Sequence, residues 1–281
     1  MKQKRLVTIQ DISCFGKCSI TVALPVISAM GIECAIIPTA VLSTHTGGFT
    51  GYTFCDLTEE IPKIKDHWSS LGLGFDAVYT GYLGSKEQLK LVGDFFDTFR
   101  TPENIIFVDP VMADNGVLYG GFPEDFPKGM AELCAKADYI VPNLTEAAFM
   151  LGEEFRAPAT YDENYIRGLL RRLRELGCPN PIVTGVCYES SRQGVVAYLS
   201  EKDEFVEYFS ENIPVSYHGT GDVFSSSLCG ALTRGLPMEK ALKIAVDYTV
   251  AAIRETIDDP EHFYGVKFEN VIPGLLESLS E

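Results

Sequence analysis

His218-Gly219-Thr220-Gly221-Asp222-Val223-Phe224, followed by the small-residue run Ser225 to Ala231, joins two chemical capacities within one helical turn. Glycines let the backbone approach an anion closely, and the helix that follows offers free N–H groups and the positive end of its dipole. Asp222, in the first turn of that helix, stays ionised readily and can accept a proton from a hydroxyl. A phosphate cradle with a base beside it suits phosphoryl transfer to an alcohol. The same letters also spell an ordinary tight turn in which Asp222 caps a helix, so their meaning depends on their company.

That company is found at other points of the chain. Asp109-Pro110-Val111-Met112-Ala113-Asp114 leaves an apolar run and sets two carboxylates in the loop beyond it, where Mg²⁺ or its water shell can be held. Asn143-Leu144-Thr145-Glu146 starts a helix, so Asn143 can meet phosphate oxygens while Glu146 reaches the metal; alternatively, Asn143 or Thr145 caps the helix and Glu146 favours its positive end. The loop Ser43-Thr44-His45-Thr46-Gly47-Gly48 suits a compact polar ligand, with His45 read as a structural hydrogen-bonder because Asp222 already fills the base role. Tyr82, in Gly81-Tyr82-Leu83-Gly84-Ser85, can stack on an aromatic ring or simply pack. Other phosphate motifs fail: Gly16-Lys17 lacks the upstream glycine of a Walker A loop, and Phe224 stands where a dinucleotide fingerprint needs glycine. Arg167, Arg171, Arg172 and Arg174 share a helix with Glu163 and Glu175 and read as a solvated, ion-paired face.

The elements that must position these residues alternate from end to end. Strand-like runs (RLVTIQD, ECAIIPTAV, DAVYTGY, NIIFVDPV, DYIVPN, PIVTGV) are separated by helical stretches across 57–71, 85–99, 124–136 and 162–176. GVVAYLS and EFVEYFS follow as a hairpin, and helices near 222–235, 238–256 and 268–279 complete the chain. The alternation predicts a three-layer α/β/α fold, a mostly parallel sheet with helices on both faces, in a single domain over 1–281. Ligands of such sheets bind beyond the carboxyl ends of the strands, where Asp11, Gly81, Asp109, Asn143 and Thr184 fall. The prediction is that these distant residues converge on one crevice.

Composition narrows the partners. With 23 Lys+Arg against 39 Asp+Glu, the net charge of −16 opposes nucleic acid and anionic membranes, so an anionic substrate needs a local positive device such as a helix N-terminus or a divalent cation. No apolar run is long enough to span a membrane, and the start MKQKRLVTIQD carries no signal region, which predicts a cytoplasmic protein. Eight scattered cysteines lack the paired spacing of a zinc site and are expected reduced.

Asp109-Pro110-Val111-Met112, Pro142-Asn143-Leu144-Thr145-Glu146 and Gly219-Thr220-Gly221-Asp222, in this order and spacing, resemble the ribokinase-like superfamily. Thr8-Ile9-Gln10 with Gly16, Leu42 to Thr46, and Gly81-Tyr82-Leu83-Gly84-Ser85 narrow the resemblance to its pyridoxal/pyridoxamine kinase branch, over nearly the whole chain. The resemblance implies ATP-dependent phosphorylation of the 5′-hydroxymethyl group of a B6 vitamer, with Mg²⁺, often a monovalent cation such as K⁺, and usually a homodimer. It implies Asp222 as catalytic base and Gly219, Thr220 and Gly221 as anion hole. It further implies Asp109, Asp114 and Glu146 near the metal, Asn143 and Thr184 near the ATP phosphates, and Thr46, Gly47 and Tyr82 around the pyridine ring.

One position departs from the pattern. Many members carry serine after the first-strand glutamine, and here Asp11 stands there; facing the ring, it would favour pyridoxamine through a charge-assisted hydrogen bond, whereas pointing away it would cap near Ser13. The nearest rival activity is that of a hydroxymethylpyrimidine kinase of thiamine synthesis, members of which often show cysteine where Asp222 stands. A rival from another class is a nucleotide-binding regulator without catalysis, against which the joint presence of Asp222, Glu146 and Asp109 argues.

Overall fold

The computed structural model describes residues 2–280, which divide into two compact units: the chain up to Gly81 together with that from Ile213 onward, and Tyr82–Asn212 between them. In chain order the elements are β1 (Arg5–Ser13), α1 (Ile20–Ala29), β2 (Glu33–Leu42), β3 (Phe54–Asp56), α2 (Glu60–Ser70) and β4 (Ala77–Thr80). Then come α3 (Lys86–Phe99), β5 (Ile105–Val108), β6 (Ala113–Asp114), β7 (Val117–Leu118), α4 (Phe126–Cys134), β8 (Tyr139–Ile140), α5 (Leu144–Met150) and α6 (Glu163–Glu175). The chain closes with β9 (Asn180–Glu189), β10 (Arg192–Leu199), β11 (Glu204–Glu211), α7 (Thr220–Thr233), α8 (Met238–Thr256) and α9 (Ile272–Ser280). The fold class is α/β with a mostly parallel sheet and helices, as the alternation predicts.

In the first unit β1 is central, parallel to both β2 and β4, and β3 adds antiparallel to β2 at the rim. A strand covered on both faces must be apolar on both. Accordingly Leu6, Val7 and Ile9 are fully buried, and the run turns polar only towards its carboxyl end, at Gln10, Asp11 and Ser13. Helix α7 lies against α1, and Gly230 is what lets them meet: a Cβ there would come within 2.4 Å of the Met30 sulfur.

In the second unit β5, β8 and β9 run parallel, and β9, β10 and β11 form an antiparallel meander, so the expected hairpin is present and is joined by a third strand. Helix α6 buries Ile166, Leu169, Leu170 and Leu173, the i, i+3, i+4, i+7 stripe of an amphipathic helix. Arg167 pairs with Glu163 on the helix as expected, whereas Arg172 reaches off it in a two-pronged bond to Glu153 at 2.8 and 3.0 Å. The loop after β5 is not irregular throughout, because residues 113–118 form the small hairpin β6–β7.

Candidate active site

The first unit carries the base and the cradle. Helix α7 begins behind Gly219, whose φ of 79° lies in the left-handed region, and its first helical bond runs from the Val223 N–H to the Gly219 carbonyl at 3.0 Å. The N–H groups of Thr220, Gly221 and Asp222 therefore precede the helical ladder and are the ones an anion can use. Only glycine fits at 219: a Cβ would sit 1.6 Å from the Lys17 carbonyl oxygen, so the segment leading into α1 lies directly on this turn. That segment is held from other sides too. The His45 N–H donates to the Phe15 carbonyl at 2.8 Å, and the Lys17 ammonium pairs with Glu269.

Asp222 is half-buried in the first turn of α7, with the Ser19 amide as the group that favours its charge. Burial pushes its carboxyl up, the negative charge of Asp11 adds to the rise, and the Ser19 amide opposes it; the outcome is about 7. Asp11 itself is 5% exposed. Burial raises its carboxyl as well, against the pull of the Ser19 hydroxyl and of the Ser13 hydroxyl, which donates at 3.1 Å. Asp11 thus accepts from the Ser13 hydroxyl within β1 and caps no helix there, while also lying close enough to Asp222 to shift it. Cys18 is driven far above the usual thiol range by burial and by the charges of Asp222 and Asp11, so it is an inert thiol.

The loop expected around the ring meets the same turn. Gly47 donates its N–H to His45 Nδ1 at 3.1 Å, and a Cβ on Gly47 would lie 2.5 Å from the His218 ring, which itself packs 5.0 Å from the His45 ring. Burial and the neighbouring His218 lower His45, keeping it the neutral acceptor that the Gly47 bond requires. Asp11, Gly47, Gly219, Thr220, Gly221 and Asp222 are therefore gathered around one turn, with Thr46 exposed at its edge.

The second unit carries the other acidic group. Asn143 and Glu146 form a capping box at the head of α5: Asn143 Oδ1 accepts from the N–H groups of Thr145 (2.8 Å) and Glu146 (3.0 Å), and Glu146 Oε2 accepts from the Asn143 N–H (2.9 Å). Glu146 Oε1 accepts from Met112 N–H at 3.0 Å and Ala113 N–H at 3.5 Å, while Asn143 Nδ2 donates to the Ala113 carbonyl at 2.8 Å. Thr145 Oγ1 accepts from Gly116 N–H at 3.0 Å, so α5 grips the whole β6–β7 hairpin. Glu146 is raised well above the usual carboxylate range by burial first and by Asp109 second, with the three amides opposing.

Asp109 is buried beside Glu146, Asp114 is exposed and turned onto Asn115, and Thr184 bridges to Asn143 through the backbone. Among the described residues no three acidic, histidine or cysteine side chains form a ready metal cage. A hard cation carried on a nucleotide needs fewer, and the like-charged Asp109–Glu146 pair is the kind of group a cation would relieve. Tyr82 packs 5.6 Å from the Phe122 ring, within its own unit. Ser19 carries no signal in the sequence, and of the two capping alternatives at this helix head the structure takes Asn143, leaving Thr145 to accept from Gly116.

Residues 11–266 match the family described as phosphomethylpyrimidine kinase, more than nine-tenths of the chain. The chain belongs to that family. A Bacteroides thetaiotaomicron protein, in a crystal form with pyridoxal, is 38% identical and superposes with a TM-score of 0.92 over 98% of this chain and 96% of its own. Pyridoxal kinase from Lactobacillus plantarum is 30% identical, with a TM-score of 0.89 over 98% and 97%. The chain also aligns to the thiamine biosynthetic bifunctional enzyme TH1 of Arabidopsis thaliana, 29% identical over 259 residues; this is 87% of the chain but only 47% of that longer relative. The resemblance to pyridoxal kinases of the ribokinase-like fold is thereby borne out, and the chain is a kinase of the phosphomethylpyrimidine/pyridoxal kinase type. Among the described residues no helix is long and apolar enough to cross a membrane.

Proposed function

We propose that this kinase transfers the γ-phosphoryl group of ATP to the 5′-hydroxymethyl group of a B6 vitamer, with Asp222 as the general base. The observation that carries the reading is the place of the Asp222 carboxylate in the first turn of α7, beside amides that precede the helical ladder; burial pushing it up to about 7 suits a base working at neutral pH. Asp222 orients the hydroxyl and takes its proton as the oxygen bonds to phosphorus and the bond to the ADP oxygen breaks. The amides of Thr220, Gly221 and Asp222 lie ahead of the helical ladder and donate to the charge developing on the phosphoryl oxygens. Mg²⁺, held through Asp109 and Glu146 or their water shell, would supply further charge neutralisation on the nucleotide. Thr46, Gly47, Asp11 and Tyr82 serve the ring, Asn143 and Thr184 the nucleotide, and Asp114 the outer rim of the cation site. The protein works in the cytoplasm as a homodimer, K⁺ assists the nucleotide, and 1–281 acts as one catalytic domain.

The similarity to the pyridoxal-bound Bacteroides protein favours a vitamer. The family description and the match to TH1 favour a second reading, phosphorylation of hydroxymethylpyrimidine. The test is a coupled ADP-release assay with pyridoxal, pyridoxine, pyridoxamine and hydroxymethylpyrimidine side by side. The expected result is the highest kcat/KM on a vitamer; the highest value on the pyrimidine replaces the first reading with the second, and no turnover on any of the four removes both.

A further inference from the structure

Lys17 is held between two glycines from distant parts of the first unit. A Cβ on Gly219 would come within 1.6 Å of the Lys17 carbonyl oxygen, and a Cβ on Gly265 within 2.3 Å of the Lys17 Cβ. Both glycines have positive φ, 79° and 149°, so each gives up its side-chain space to Lys17 at no steric cost. The rest of the residue is gripped by the segment that follows Gly265's own turn. The Lys17 N–H donates to the Tyr264 carbonyl at 3.4 Å, and its ammonium pairs with Glu269 while standing 5.4 Å from the centre of the Phe268 ring. That segment is itself anchored on α8: Phe268 is fully buried, its carbonyl accepts from the Tyr248 hydroxyl at 3.0 Å, and the Lys267 N–H donates to the Thr256 hydroxyl at 2.8 Å.

The side chains of Lys17 and Glu269 are 24% and 44% exposed, and ion pairs of that exposure add little to the stability of a fold. What this pair fixes is place, because the opposite side of Lys17 abuts the residue from which α7 starts. We infer that Lys17 is a positioning residue of the phosphoryl-transfer site: anchored on Glu269 and Phe268, it buttresses the Gly219 turn and so sets where the N–H groups of Thr220, Gly221 and Asp222 stand. The inference rests on the reading of those amides as the phosphoryl cradle. Such donors act only at hydrogen-bond distance from the charge that develops, and a misplacement of about 1 Å caused from outside the chemistry costs on the order of 10²-fold in rate. Releasing the ionic anchor while the stem and the backbone bond remain moves the turn by less, so a loss of about tenfold is expected.

Lys17→Met deletes the charge and keeps a stem against Gly265 and Phe268; Glu269→Gln deletes the partner. Both are made in the full chain, singly and together, and assayed over a range of ATP with the alcohol that wild type turns over fastest. Each single variant is expected to lower kcat about tenfold, with KM for ATP within about threefold and the melting temperature within about 3 °C of wild type. The double variant is expected to be no slower than the slower single one, because both changes break one contact. Lys17→Arg, which can remake the pair, is expected to keep kcat within about twofold of wild type. Wild-type kcat in Lys17→Met overturns the inference, as do losses that multiply in the double variant or a loss that Lys17→Arg does not restore. A fall in kcat that tracks a melting temperature lowered beyond that range also overturns it, since that is the mark of a merely structural pair. If wild type turns over none of the four alcohols, the kinase reading fails and the inference with it; an active wild type beside unaffected variants removes the inference alone.

Discussion

Asp222 and Glu146 are both carboxylates raised by burial and by a second acid, yet the two units treat them in opposite ways. Glu146 has both oxygens engaged by backbone amides, from Asn143, Met112 and Ala113, and fastens a helix head to a hairpin. Asp222 has the Ser19 amide alone set against burial and the Asp11 charge. A carboxyl with both oxygens engaged by amides is a structural fastener whatever else it does, and one with a single amide keeps an oxygen for another partner. Both carboxyls are raised, so the number of amides each one accepts from, more than the shift, separates the fastener from the acid with an oxygen left for a hydroxyl.

The largest expected break in this comparison is Asp222→Asn. It should lower kcat by about 10²–10⁴ in a steady-state assay while leaving ATP binding intact, as loss of a positioned base does. The same change should stabilise the fold at alkaline pH, with the sign following from the raised carboxyl. Folded Asp222 titrates near 7 and an unfolded aspartate near 3.8, so the penalty of this group on folding builds up as pH rises from about 4 to 7, is complete above 7 and is absent below about 4. Melting curves should therefore show Asp222→Asn above wild type at pH 8, by on the order of 2 kcal/mol, and level with it at pH 4. A melting temperature at pH 8 no higher than wild type would place Asp222 among the fasteners.

Glu146→Ala tests the other side. Removing an acceptor of three amides should cost about 2–4 kcal/mol, a drop of several degrees in melting temperature without any nucleotide present. An undiminished melting temperature would mean that the capping box is not what holds the β6–β7 hairpin. The smallest expected effect sharpens the comparison within the first unit. Asp11→Ser should lower the ratio of kcat/KM for pyridoxamine over pyridoxal by roughly tenfold if the Asp11 charge is felt by an aminomethyl group. An unchanged ratio would confine Asp11 to its partnership with Asp222.

Much of this was open to reading in the order of residues. The helix 238–256 matches α8 to the residue, because a run of good helix formers follows Pro237. The strand ends bearing Asp11, Asp109 and Asn143 stand out because buried strands are apolar until their last residues, whereas Thr184 lies inside β9, which runs on to Glu189. The β6–β7 hairpin was not legible, since two-residue strands carry no period. The close approach of the Lys17 carbonyl to Gly219 was equally hidden, because the two lie about 200 residues apart along the chain and no local pattern encodes it. Asn143 and Glu146 sit between these cases. Their capping role is written in their spacing, but the further amides that converge on Glu146 come from a separate loop.

The seam between Lys17 and Gly219 is made from main-chain atoms, a carbonyl against a glycine Cα. Side chains along the neighbouring loops can thus be exchanged over generations, or by an engineer, without dislodging the reactive oxygen. Such a scaffold can drift from one aromatic alcohol to another by repainting its walls while the chemistry stays bolted to the frame.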